Sequence, residues 1–195
     1  MQADAERRED EEMRIVVIGR GNVGGGLGRL WRDAGHDVVA LGRGGGDASG
    51  ADAVLLAVPS AAITDAIGAV SGLERVPVID ATNIARGERP QGFASLAEYV
   101  KSLTKGPVAK AFNTNFAVLY DRLSTARARP SSLYCGDDDA KPVTAQLTRD
   151  AGYDPVDAGG LESARTLEDF LRVNFAVSQA GMGPFFYRFA SPEEL

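Results

Sequence analysis

The run Arg14-Ile15-Val16-Val17-Ile18 passes without a break into Gly19-Arg20-Gly21-Asn22-Val23-Gly24, and no other stretch of the 195 residues constrains the fold as strongly. An apolar run without polar alternation belongs to a strand covered on both faces, the signature of a mostly parallel sheet between two helical layers. Six further runs repeat that character: Asp37–Leu41, Ala53–Val58, Pro77–Asp80, Val108–Phe112, Ser132–Cys135 and Asp154–Asp157. Between them the pattern predicts helices over Asn22–Ala34, Ser60–Val70, Ser95–Lys101, Phe116–Leu123, Ala140–Ala151 and Ser163–Ala180, with Gly35 and Gly152 at C-terminal caps and Pro142 in a first turn. The chain reads as α/β, a doubly wound mostly parallel sheet with a small C-terminal helical extension.

The chain divides into three segments. Residues 1–12 form an acidic tail carrying −4 of the formal charge of −6, expected to be disordered. Residues 13–158 form the sheet domain. Residues 159–195 form a helical segment expected to close a cleft. Between Gly42 and Asp52 there is too little chain for a crossover helix, so a bare, mobile glycine-rich loop is expected there.

Composition narrows function. With the tail set aside the body is close to neutral, which disfavours nucleic acid and anionic membrane as partners. One cysteine, Cys135, excludes an intrachain disulfide and a Cys-based zinc cage, and one histidine, His36, argues against a Ser/His/Asp site. No metal site is expected, and Asp137-Asp138-Asp139 reads as helix capping. No stretch has the ~18–20 apolar residues of a membrane span, and a cytoplasmic location is expected.

Gly19, Gly21 and Gly24 make a G-x-G-x-x-G at a strand-to-helix junction. In that context the first glycine permits the turn, the second admits a pyrophosphate to the backbone, and the third lets helix and strand pack closely. The helix N-terminus, with the N–H groups of Asn22 and Val23, faces the phosphates. The chain is therefore expected to be a Rossmann-type NAD(P)-binding domain. No acid ends the second strand; Leu41-Gly42-Arg43 stands there, and a guanidinium at that place suits the 2′-phosphate of NADP. Arg20 is a candidate second clamp. Other strand ends supply Val58 and Pro59 as an apolar wall, and Thr82, Asn83, Asn113, Thr114 and Asn115 as amide and hydroxyl groups for ribose and carboxamide. Lys110, a cation inside a strand, either snorkels at the sheet edge or lies in the pocket.

The segments Val17–Leu27, Gly35–Val39, Lys110–Thr114, Cys135-Gly136-Asp137-Asp138-Asp139 and Val156–Arg165 resemble the NADPH-dependent reductases of the deazaflavin coenzyme F420 and their relatives, which include the flavin-reducing domain of membrane metalloreductases. The resemblance runs from Met13 to about Phe189. It implies that Arg43 binds the 2′-phosphate, and that the acceptor ring meets nicotinamide near Asn113, Thr114 and Asn115, the candidate catalytic segment. It also places Gly159-Gly160-Leu161 and Met182-Gly183 near the second substrate, and makes the C-terminal part a dimerising element. The chain departs from the family in having Asn113-Thr114-Asn115-Phe116 in place of His-Thr-Ile-Pro, and glycines at Gly44–Gly50 in place of a helix.

The expected function is hydride transfer between NADPH and a deazaflavin or flavin (coenzyme F420, FMN or FAD), a reaction that needs alignment more than a side-chain acid. None of Tyr99, Tyr120, Tyr134, Tyr153 and Tyr187 has Lys four residues on, so the Tyr-x-x-x-Lys donor pair is missing. The alternatives are reduction of a small carbonyl, imine or quinone with Lys110, Asp80 or Tyr120 as donor, or a noncatalytic dinucleotide-binding role. The aromatic tail Phe185-Phe186-Tyr187 with the Ser163–Ala180 helix is expected to bury itself in a homodimer.

Overall fold

The computed structural model describes residues 12–84 and 88–194; the acidic tail, but for Glu12, lies outside the described residues. The strands are Arg14–Ile18 (β1), Asp37–Leu41 (β2), Gly46–Asp47 (β3), Ala53–Leu56 (β4), Val70–Ser71 (β5), Val78–Asp80 (β6), Val108–Ala111 (β7), Ser131–Gly136 (β8) and Asp154–Asp157 (β9). The helices are Asn22–Asp33 (α1), Ile63–Gly68 (α2), Leu96–Thr104 (α3), Lys141–Asp150 (α4) and Ala164–Val177 (α5). The segment expected to be a helix from Phe116 is instead a run of 3₁₀ turns over Ala117–Thr125.

Seven strands form one sheet in the order β2-β1-β4-β6-β7-β8-β9. All pairs are parallel except β7 with β8. In β1, Ile15 and Val17 enter one apolar cluster with Leu27, Trp31 and Tyr153, while Val16 and Ile18 enter another with Ile63, Leu96 and Val100. Both faces are therefore buried, which is why β1 carries no polar alternation. The α/β doubly wound fold expected from sequence is the fold observed. The chain leaves β1 for β2 on one side and returns to β4 on the other, so the strand order reverses at β1. That reversal opens a crevice beyond the carboxyl ends of β1 and β4.

No helix links β2 to β4, as expected, but the connection is not bare. Gly46 and Asp47 pair in parallel with Val70 and Ser71, and Ala48, the next residue, is fully buried in the second apolar cluster. The Asp47 carboxylate accepts hydrogen bonds from Ser49 N and Ser71 Oγ at 2.9 Å each. These bonds hold its pKa below the ordinary carboxylate value.

Lys110 departs from both expectations. Its strand, β7, lies between β6 and β8, and the side chain has no exposed surface. The register places Asp80 of β6 directly beside it, and Nζ donates to Asp80 Oδ2 at 2.9 Å and to the Thr82 carbonyl at 2.5 Å. Glu168 of α5 approaches Nζ to 3.4 Å, accepts from Leu96 N at the start of α3 at 2.7 Å, and meets Arg89 at 3.2 Å. A buried cation thus joins two strands and the C-terminal helix through two buried carboxylates.

The acidic run before α4 does not cap that helix with side chains: the Asp137 carboxylate accepts from Val108 N at 2.8 Å and pairs with Lys101 at 2.5 Å. His36 pins the α1–β2 turn, accepting from Met13 N at Nδ1 and sharing a 3.0 Å contact with Asp150 at Nε2. The C-terminal tail folds back on its own chain. Tyr187 O accepts from Ser131 N, Tyr187 and Thr114 hydroxyls lie 2.5 Å apart, Phe185 packs on Phe116, and Phe186 packs on the first cluster. The aromatics that motivated a dimer are thus largely covered within the chain, because β8 offers them backbone partners. Among the described residues no helix is long and apolar enough to cross a membrane, and no His/Cys/Asp/Glu group could hold a metal ion.

Removing the Lys110 ammonium leaves Asp80 buried without its cation and leaves Glu168 with Arg89 alone. Lys110→Met should cost ~3–5 kcal/mol in urea unfolding, the scale of a broken buried ion pair.

Candidate functional site

A cleft of about 670 Å³ lies at the reversal of strand order. It is lined by Ile18, Gly19, Arg20 and Gly21 of the glycine turn, by Leu41, Gly42 and Arg43 after β2, by Ala57, Val58 and Pro59 after β4, and by Ala62, Asp65, Ala66 and Ala69 around α2. Six residues selected from sequence therefore come together here: Gly19, Arg20, Gly21, Arg43, Val58 and Pro59.

The three glycines have separable roles. Gly19 has φ +108° and donates its N–H to the Leu41 carbonyl at 3.3 Å; a Cβ there would stand 2.2 Å from the Ala57 carbonyl oxygen. A Cβ on Gly24 would stand 2.1 Å from the Gly19 carbonyl oxygen, so α1 can approach the turn only because residue 24 has no side chain. A Cβ on Gly21 would meet nothing within 4 Å. The absence of a side chain at Gly21 therefore serves no packing need of this chain and leaves open a space that a ligand can use.

The N-terminus of α1 has no side-chain cap and no acid in its first turn. Free N–H groups of Asn22, Val23 and Gly24 with the positive end of a 12-residue helix make an anion cradle. The open face at Gly21 and this uncapped terminus fit a pyrophosphate. Arg20 reaches across to β2, where Nη2 donates to the Ala40 carbonyl at 3.0 Å and the guanidinium packs over Gly42. Arg43 is exposed at the cleft, so two guanidiniums stand at the end of β2 where an NAD-type site would carry an acid.

The remaining selected residues lie outside that lining. Thr82 and Asn83 follow β6, and Asn113, Thr114 and Asn115 follow β7. Phe112 turns the chain at φ +58°, an uncommon conformation for a non-glycine residue, with its ring against Trp31 at 5.8 Å. Asn113 and Thr114 are 3% and 1% exposed, and their side chains are committed to the protein. Asn113 Nδ2 donates to Asn83 Oδ1 and the Leu167 carbonyl, and Asn83 Nδ2 donates to the Asn113 carbonyl. Asn115 bridges to Ser131 and Ser132, and Asn174 of α5 donates to the Thr114 carbonyl at 2.8 Å. These amides brace the strand ends against α5 and β8. Thr82 Oγ1 and Asn113 Oδ1 are buried without a hydrogen-bond partner among the described residues. Gly159, at φ +102°, accepts from Gly136 N, and Leu161 packs into the second apolar cluster.

The candidate proton donors are equally enclosed. Lys110 and Asp80 bond to each other, and Tyr120, 3% exposed, has its phenol pushed above the ordinary range by burial. Burial likewise pushes the Cys135 thiol up to about 12, which leaves little thiolate at neutral pH. The α2 wall was missed from sequence. Ala62, Ala66 and Ala69 recur at helical spacing, but small residues on a helix look the same whether they face a core or a ligand.

No family model and no curated protein matches the sequence. Solved structures do. A candidate F420-dependent NADP reductase from Arthrobacter sp. FB24 superposes with a TM-score of 0.77 at 25% identity, over 92% of this chain and 100% of the other. A reductive aminase from Aspergillus terreus in complex with NADPH gives 0.63 at 14% identity, over 88% of this chain and 64% of the other. A 3-hydroxyisobutyrate dehydrogenase from Mycobacterium tuberculosis gives 0.61 at 15% identity, over 87% and 62%. This chain thus spans just under two thirds of the latter two proteins. The fold is the Rossmann-like α/β class in which such NAD(P)-dependent oxidoreductases are built.

The glycine geometry separates binding from folding. Gly21→Val should fold normally yet lose NADPH affinity by ~100-fold, whereas Gly24→Val should lower stability by about 2 kcal/mol or more through its clash with Gly19. Thermal unfolding with and without NADPH distinguishes the two.

Proposed function

We propose that the protein is an NADP(H)-dependent oxidoreductase that moves a hydride between NADPH and a planar redox acceptor, with deazaflavin coenzyme F420 as the first candidate and FMN or FAD as the next. The observation that carries this reading is the pairing of an open Gly21 face at an uncapped α1 terminus with Arg43, not a carboxylate, at the end of β2. A guanidinium in that place favours a 2′-phosphate through a charge-assisted hydrogen bond.

The chemistry supplied by the bound nicotinamide is a two-electron hydride donation, balanced by one proton taken up with the reduced acceptor. Around it the chain's own residues bind and orient. Gly19, Gly21 and the first turn of α1 hold the pyrophosphate; Arg20 and Arg43 hold the phosphorylated ribose; Val58 and Pro59 exclude water from one flank. The amides Asn83, Asn113 and Asn115 position the ends of β6 and β7 without a group acidic enough to protonate a ketone. The same enclosure of Lys110, Asp80 and Tyr120 weighs against a carbonyl reductase dependent on one of them. The likeness to the candidate F420-dependent NADP reductase, which extends over that protein's whole length, supports the same acceptor class.

Titration with NADPH and NADH tests the cofactor half. Arg43→Ala should weaken NADPH by ~1.5–3 kcal/mol and leave NADH nearly unchanged; equal losses would remove Arg43 from the 2′-phosphate. Anaerobic mixing of the same protein and NADPH with F420, FMN or FAD should consume nicotinamide absorbance. Inertness toward all three, with turnover of a ketone or imine, would replace this reading.

A further inference from the structure

With the cleft taken as an NADP(H) site, one of its side chains is left without a role, and the role assigned to it below depends on that reading of the cleft. Ala62, Asp65, Ala66 and Ala69 stand at i, i+3, i+4 and i+7, so they share one face of α2 and its flanks, and all four line the cleft. Three methyl groups make a low, flat wall against which a planar ring can lie. The fourth residue is a carboxylate, the one acidic side chain in the lining among the described residues. Asp65 is exposed, and among the described residues neither Asp65 nor Arg43 takes part in an ion pair or a side-chain hydrogen bond. The carboxylate is therefore not spent on the cleft's own guanidiniums.

Its chemistry restricts what it can meet. An ionised carboxylate only accepts hydrogen bonds, and it repels phosphate. Arg20 and Arg43 stand where β2 ends, while Asp65 stands among the alanines of α2; the group it meets is a donor, and the flat alanine wall favours one on the base over a ribose hydroxyl. We propose that Asp65 is the adenine-recognition residue of the cleft: it accepts a hydrogen bond from the exocyclic amine of a base lying along Ala62, Ala66 and Ala69. A purine with a carbonyl at that position sets oxygen against oxygen and leaves the carboxylate unsatisfied. Asn in place of Asp is nearly isosteric, and its amide can turn to donate to that carbonyl or to accept from the amine.

Calorimetric titration with NADPH and with its deaminated analogue, in which hypoxanthine replaces adenine, tests the assignment in the full chain. The unmodified protein should favour NADPH by ~10-fold or more, because a site that accepts from an amine rejects the partner lacking it. Asp65→Asn should bring the two dissociation constants within about 3-fold of each other. Equal affinities in the unmodified protein, or a preference that survives in Asp65→Asn, would overturn the assignment of Asp65 while leaving the NADP(H) reading intact. Failure of the unmodified protein to bind NADPH at all would overturn both.

Discussion

The cleft depends on one close approach. With only a hydrogen at residue 24, the first turn of α1 lies against the Gly19 carbonyl, while Gly19 in turn lies against the Ala57 carbonyl at the end of β4. The glycine turn is thereby wedged between the helix it starts and the neighbouring strand end. That contact aims the uncapped helix terminus into the crevice where the strand order reverses, and it leaves Gly21 facing open space. The uncapped, open terminus is thus a consequence of packing density at three residues, and it needs no charged side chain to exist. Arg20 and Arg43 stand beside it at the end of β2.

A second constraint holds the other end of the sheet. Lys110, Asp80 and Glu168 bring three formal charges into the interior, an arrangement that contributes stability only while every member is paired. The network reaches the start of α3 through Leu96 N, the C-terminal helix through Glu168, and the strand end at Thr82 through its carbonyl. Asn83, Asn113 and Asn174 extend the same bracing to the segments after β6 and β7. The C-terminal helix is therefore part of the body of the fold, docked by buried polar bonds as well as by Ala164 and Leu167 in the second apolar cluster.

The alternation of core faces in β1 explains why so much of the fold was legible in the sequence. Strands buried on both sides cannot hide as amphipathic runs, and a strand followed by G-x-G-x-x-G has few other uses. Cleft residues supplied by the turn and by the ends of β2 and β4 were legible for the same reason. Long-range pairings were not. Nothing local distinguishes Lys110 as the partner of Glu168, since that pairing exists only once α5 is docked. The β3–β5 clip was hidden because Gly46 has no side chain to pattern. The side chains of Asn113, Thr114 and Asn115 read as ligand groups because amides and hydroxyls suit a nucleotide and a protein interior equally well; burial and partners distinguish the two. The folding back of the aromatic tail was not legible because its cover, the start of β8, is more than fifty residues away in sequence.

A crystal structure of the protein grown with NADP⁺ bears on the cleft directly. Density is expected for the pyrophosphate over Gly21 and the first turn of α1, with the 2′-phosphate beside Arg43 and the nicotinamide running past Val58 and Pro59. Ordered cofactor in the separate hollow bounded by Arg29, Tyr120 and Arg129, or a 2′-phosphate turned away from both Arg20 and Arg43, would contradict the assignment of the cleft as the NADP(H) site.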